Sequence, residues 1–197
     1  MKYLKMLGLT AVAALSIAAF AGAGTASASS LCKVNESPCA APFTGEVVGK
    51  SAEATLTAGS FVVKCASEAK GSLNASGVGK ITNLTFSSCK GECTTATALN
   101  LPYKAVGDAA GGGNGTLLVS KETVGPPGAK LGGCTFLKVN CAYVAETEPV
   151  SLAVTGGASP TLKATAVPLK RTEGPCPEKG TWTATYSVTP APLFLVA

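Results

Sequence analysis

The clearest pattern in the chain is an alternation of apolar and hydroxyl-bearing residues from Thr181 to Thr189. Trp182, Ala184, Tyr186 and Val188 share one face, and Thr181, Thr183, Thr185, Ser187 and Thr189 share the other. A period of two is the strand period, so one face is buried and one is wet. Ser51–Ala58 repeats the pattern, with Ala52, Ala54, Leu56 and Ala58 on one side. Further strands are expected at Ser60–Cys65, Lys80–Ser87, Thr94–Leu101, Gly115–Ser120, Thr135–Val139, Ala142–Ala145, Val150–Val154 and Thr161–Val167. Turn signals separate them, the clearest being Gly111–Gly115 and Gly125-Pro126-Pro127-Gly128. Runs at helical spacing are missing. Many short strands punctuated by turns predict an all-β fold, an antiparallel β-sandwich or barrel-like domain. Its inward positions are small, often alanine, which implies a thin core.

The first residues carry a different pattern. Lys2 and Lys5 precede an uncharged apolar run from Met6 to Phe20, followed by small residues that include Ala26-Ser27-Ala28. That order is the architecture of a secretory signal peptide, with Ala26 and Ala28 at the two small-residue positions before the cut. Residues 1–28 are therefore expected to be removed, leaving 29–197 as a single domain. The apolar run is short of the roughly 20 residues a membrane helix needs. Cys32 follows Leu31 rather than the small residue that lipoprotein attachment requires. The expected product is secreted and extracellular, with no membrane association after cleavage.

All eight cysteines lie beyond that cut: Cys32, Cys39, Cys65, Cys89, Cys93, Cys134, Cys141 and Cys176. An even number behind an export signal predicts four disulfides. Zinc is disfavoured because the chain has no histidine and no Cys-x-x-Cys. Each bridge could add about 2–4 kcal/mol to a thin core. Short loops close most easily, which favours Cys32–Cys39 and Cys134–Cys141. Cys89 and Cys93 flank a turn, so their pairing would leave Cys65 with Cys176. The rival map joins Cys65 to Cys89 and Cys93 to Cys176.

Candidate chemistry is sparse. The missing histidine excludes Ser-His-Asp and Cys-His catalysis. Ser67-Glu68-Ala69-Lys70 matches a bare S-x-x-K, which needs a helix to bring Ser and Lys together. Gly45–Ser51 resembles a phosphate loop but is one residue short, and reads better as strand-turn-strand. The acids are scattered, all glutamate except Asp108, and no pair stands out for glycoside hydrolysis. Asp108 is solitary, so calcium is not indicated, and the glycines beside it suggest a mobile loop. Asn74, Asn83 and Asn114 head N-x-S/T sequences that mark acceptor sites only in a glycosylating host. Trp182 and Tyr103 could stack on a sugar, but a lone Trp in an alternating strand reads as core. The net charge is +5, of which Lys2 and Lys5 supply two, so the mature domain carries +3 and lacks the dense basic stripe of a nucleic-acid binder. No catalytic, cofactor-binding or metal-ligating residue is assigned.

Three stretches together resemble a known group. They are Leu31-Cys32 with Pro38-Cys39, Cys89-Lys-Gly-Glu-Cys93 running on to Pro102-Tyr103, and the ending Pro190-Ala-Pro192-Leu193. They are similar to small secreted, cysteine-rich proteins of high-GC Gram-positive bacteria, a group with no known function. The resemblance implies an exported β domain and brings no activity, ligand or site residue. The expectation is a non-catalytic structural or binding protein whose partner is a cell-wall polymer or another extracellular protein. The alternative is an enzyme inhibitor or toxin-like effector acting through Gly107–Gly115 or Thr123–Gly133. A carboxylate-dependent hydrolase is the weakest reading.

Overall fold

A computed structural model describes residues 29–135 and 139–197. The expected signal peptide, 1–28, and most of the expected strand Thr135–Val139 lie outside the described residues. Thirteen strands account for the fold, in chain order β1 (Ser30–Cys32), β2 (Gly45–Ala58), β3 (Phe61–Leu73), β4 (Val78–Gly91), β5 (Cys93–Leu99), β6 (Tyr103–Gly111), β7 (Asn114–Lys121), β8 (Gly128–Cys134), β9 (Cys141–Ala145), β10 (Val150–Thr155), β11 (Thr161–Glu173), β12 (Lys179–Thr189) and β13 (Phe194–Val196).

Five long strands, ordered β4-β3-β2-β12-β11, make a back sheet that spans the molecule. In its upper half, β6, β7 and β10 continue from β4 and return to β11, closing an eight-stranded antiparallel barrel. In its lower half, β9, β8 and β5 continue from the other edge, β11. Among the described residues no ladder joins β5 back to β4, so the lower half is a curled sheet rather than a closed ring. Barrel and not sandwich is thus the answer to the choice the sequence left open.

The two halves meet at a row of small residues in register. Cys65 faces Ala54, Ala54 faces Ala184, and Ala184 faces Ala164, across β3, β2, β12 and β11. All four are buried. Ladder shifts between Ser51 and Ala54 in β2, between Ala164 and Val167 in β11, and beside Ser88 in β4 flank this row. Bulges bend a strand and raise its twist. Ala166 (φ 47°) and Ser88 (φ 51°) adopt the left-handed conformation such irregularities use. Small side chains at the bend let the long strands curve without collision.

A two-stranded sheet of β1 and β13 lies over the top of the barrel, with Ser30 opposite Val196 and Cys32 opposite Phe194. It buries Leu31, Leu193 and Leu195 with Phe43 and Val188. Gly107 makes room for it, since a Cβ there would stand 2.8 Å from the Leu195 side chain. Leu31 N–H donates to the Ala75 carbonyl and Leu195 N–H to that of Gly113, which seats both strands on barrel turns.

The disulfide map corrects the local-closure argument. The bridges are Cys32–Cys39, Cys65–Cys89, Cys93–Cys134 and Cys141–Cys176. Cys32–Cys39 is as expected. Cys134 does not pair with Cys141, because β8 places Cys134 directly opposite Cys93 of β5. Cys89 does not pair with Cys93, and Cys65 does not pair with Cys176: Cys89 lies beside Cys65 on the neighbouring strand, and Cys176 reaches Cys141 at the start of β9. From the rival map, Cys65–Cys89 stands and Cys93–Cys176 falls. For Cys93–Cys134 and Cys65–Cys89, strand pairing chose the partners, not the shortness of the loop.

Candidate binding cavity

The closed barrel is hollow. One cavity of about 200 Å³ runs from the β1–β13 lid past the alanine row to the top of the packed cluster that fills the lower half. Leu31, Leu193 and Leu195 form its ceiling, and Leu56, Phe86, Leu169 and Trp182 its floor. Ala105, Leu117, Val119, Leu152 and Val154 supply one wall, and Val47, Ala69, Leu162, Ala164 and Val188 the other. This wall arises from the period-two pattern: inward positions are apolar, and the outward ones are Thr, Ser, Lys and Glu. An eight-stranded barrel has an interior just wide enough for side chains to fill or for one small ligand. The inward alanines decide for room.

Trp182 faces inward as its alternating strand predicts, but it is only partly buried and edges against Phe86, with ring centroids 5.5 Å apart. Tyr103 is buried, so neither aromatic is displayed for stacking on a sugar at the surface. Three tyrosine hydroxyls lie near the cavity, and each is engaged by the protein. Tyr103 donates to the Leu99 carbonyl and accepts a longer bond from Gly128 N–H, tying β6 to the lower half. Tyr143 donates to the Pro177 carbonyl at 2.7 Å. Tyr186 accepts from the buried Ser67 Oγ at 3.0 Å. Gly49 permits that bond, because a side chain there would press on the Tyr186 ring, which crosses β2 to reach Ser67 on β3. Burial pushes the Tyr103 phenol up to about 12. Burial also raises Tyr186, offset in part by the Ser67 bond, and raises Tyr143, offset by the nearby Arg171. The three phenols stay neutral and the wall carries no acid.

Acidic residues stand outside. Glu68 bridges Lys50 and Lys70, which hold its carboxyl below the usual range. Glu53 pairs with Lys64, Glu122 with Lys80, Glu146 with Lys179 and Glu173 with Lys130. Glu122 and Glu148 both border a shallow outer groove, but Glu122 holds Lys80 and Glu148 accepts the Lys121 backbone N–H. Ser67 and Lys70 fall on opposite faces of β3, so the S-x-x-K constellation does not assemble. Gly45–Ser51 is continuous strand without the expected turn. Asp108 lies in the β6–β7 ladder opposite Thr116, not in a mobile loop. Among the described residues no group of three potential metal ligands comes together.

The two loops suggested for inhibition are mostly strand. Gly107–Gly115 is the β6–β7 hairpin, and its tip at Gly113 packs against Phe194 of the lid. The second half of Thr123–Gly133 is β8. Sequence reading missed the cavity itself: the inward alanines were visible, but they looked like a thin core. No family model, curated protein or solved structure matches the chain.

Proposed function

We propose that the protein is an exported, non-catalytic binding protein that takes a small apolar molecule into its barrel. One observation carries the reading: a cavity of about 200 Å³ whose walls are almost wholly hydrocarbon. An apolar cavity of roughly 150 Å³ stays dry and accepts a molecule such as benzene. A polar substrate would lose its hydration here and find no partner, at a cost of a few kcal/mol per group.

Four disulfides fit an oxidising compartment, and no helix among the described residues is long and apolar enough to cross a membrane. The polar outer face and apolar interior are the reverse of a lipid-embedded barrel, which turns its apolar band outward. That polarity supports a domain working in water, and the signal-like residues 1–28 support export.

Thermal unfolding with added hexane or toluene tests the binding reading. A ligand that binds only the folded state raises the midpoint. Leu152→Trp, which fills the cavity, should abolish the rise in a protein that still unfolds cooperatively. Neither compound shifting the wild type, or both shifting Leu152→Trp equally, would overturn it. Protein recovered from culture medium should begin at Ser29 on N-terminal sequencing, and protein found only inside cells with Met1 intact would overturn export.

A further inference from the structure

The cavity is long for its volume. On β11 it touches both Leu162 and Leu169, and on β2 both Val47 and Leu56. Leu162 pairs with Tyr186 and Leu169 with Gly180, six residues apart on β12, so at about 3.3 Å per residue and with the tilt of barrel strands they stand roughly 15 Å apart along the axis. Across the axis, an eight-stranded barrel leaves room only for side chains or one small ligand. The space is therefore longer than it is wide, and it suits an extended molecule better than a compact one.

The inner surface agrees with that shape. The three phenols near it are already engaged: Tyr103 by Leu99, Tyr143 by Pro177, and Tyr186 by Ser67. A peptide would bring an amide every few ångströms and find no partner for any of them. A sugar would fare worse. Methylene groups ask for nothing but contact, and Leu117, Val119, Leu152, Val154 and Leu162 offer it along the whole length.

Resting on the reading of the cavity as a binding site, we infer that its occupant is a single unbranched hydrocarbon chain, lying along the barrel axis from the lid to the Trp182–Phe86 floor. Peptides and sugars are excluded by polarity, and a compact ring would leave most of the length unfilled. The chemistry is common to a free long-chain alcohol or acid and to the acyl chain of a lipid.

Titration calorimetry of the full disulfide-bonded protein with a matched pair tests this. Dodecanol and cyclododecanol carry the same number of carbons and one hydroxyl each. Dodecanol should bind at least tenfold more tightly. Across hexanol, octanol, decanol and dodecanol, affinity should rise about fourfold per methylene, the ratio that about 0.8 kcal/mol per buried methylene gives. Cyclododecanol binding as tightly as dodecanol, or affinity that ignores chain length, would overturn the chain while leaving an apolar site in place. Heat from neither alcohol, with no midpoint shift from hexane or toluene, would remove the site as well. A lysophospholipid with a dodecanoyl chain then separates the sources: competition with dodecanol assigns a lipid-borne chain, and its absence assigns a free one.

Discussion

The upper and lower halves of the molecule solve closure in different ways. Above the alanine row, backbone ladders run around all eight strands and return to their start, so the wall needs no covalent aid. Below it, the sheet curls but β5 and β4 exchange no ladder among the described residues. Three of the four bridges, Cys65–Cys89, Cys93–Cys134 and Cys141–Cys176, gather there with Phe61, Val63, Leu131 and Tyr143 in one packed cluster. The lower half is solid and stapled; the upper half is hollow and hydrogen-bonded. A closed ladder can enclose empty space because its wall stands without the contents. A curled sheet cannot, and must fill its inside with side chains and sulfur.

The largest expected effect strikes the staples. Cys93–Cys134 spans a sequence separation of 41 and Cys32–Cys39 one of 7. Chain entropy then assigns about 4 kcal/mol to the first and about 2 kcal/mol to the second. Guanidinium unfolding of Cys93→Ala with Cys134→Ala, beside Cys32→Ala with Cys39→Ala, measures both. Equal losses would mean that the lower half does not depend on its bridges as described.

Next in size is a contrast between leucines. Leu131 is 2 % exposed in the solid cluster, whereas Leu152 borders the cavity. Truncating a packed leucine opens a new void and costs about 3 kcal/mol. One that already faces a void has fewer contacts to lose, so Leu152→Ala should cost about half as much. Chemical denaturation of the two variants decides, and a larger loss for Leu152→Ala would refute a hollow upper half.

Tyr103 joins the halves, and its titration reports on the joint. Unfolded, a phenol ionises near pH 10; folded, Tyr103 does so at about 12. The folded state holds the proton more tightly, so this contribution is intact below about pH 10 and drains away as the pH climbs through 12. The loss is on the order of 2–3 kcal/mol. Wild type should lose that much more stability than Tyr103→Phe over the interval. Parallel losses would place the alkaline weakness elsewhere.

The smallest effect concerns the hydroxyl pair. Tyr186→Phe leaves Ser67 buried with no phenol to receive its proton, at about 1 kcal/mol. A midpoint unchanged within error would show that Ser67 finds another acceptor.

The sequence was most legible where alternation was long. Trp182, Ala184, Tyr186 and Val188 all face inward in β12, and the Gly111–Gly115 signal is a hairpin. In β2, Ala54, Leu56 and Ala58 are buried as expected, but the irregularity after Ser51 leaves Ser51 buried and Ala52 exposed, the reverse of the alternation. What escaped was set by distant partners. The loop expected at Thr123–Gly133 becomes strand from Gly128 onward, where β5 and β9 flank it. β1 and β13 have three residues each and no pattern of their own. Cys32–Cys39 followed loop entropy, but Cys134–Cys141 and Cys89–Cys93 did not, because strand pairing sets Cys93 opposite Cys134 and Cys65 beside Cys89. Small inward residues signal either a thin core or an unfilled one, and only closure of the ring distinguishes the two.

The lid is made from the first and last strands of the described chain, Ser30–Cys32 against Phe194–Val196. Among the described residues no strand pairing joins positions more distant in sequence, so it closes the largest loop and gains least from local order. That assigns it to the end of the folding sequence. Until it forms, the barrel is a cup with a greasy interior, open at the rim. An occupant of the kind proposed above would therefore enter before the lid pairs, with filling preceding sealing.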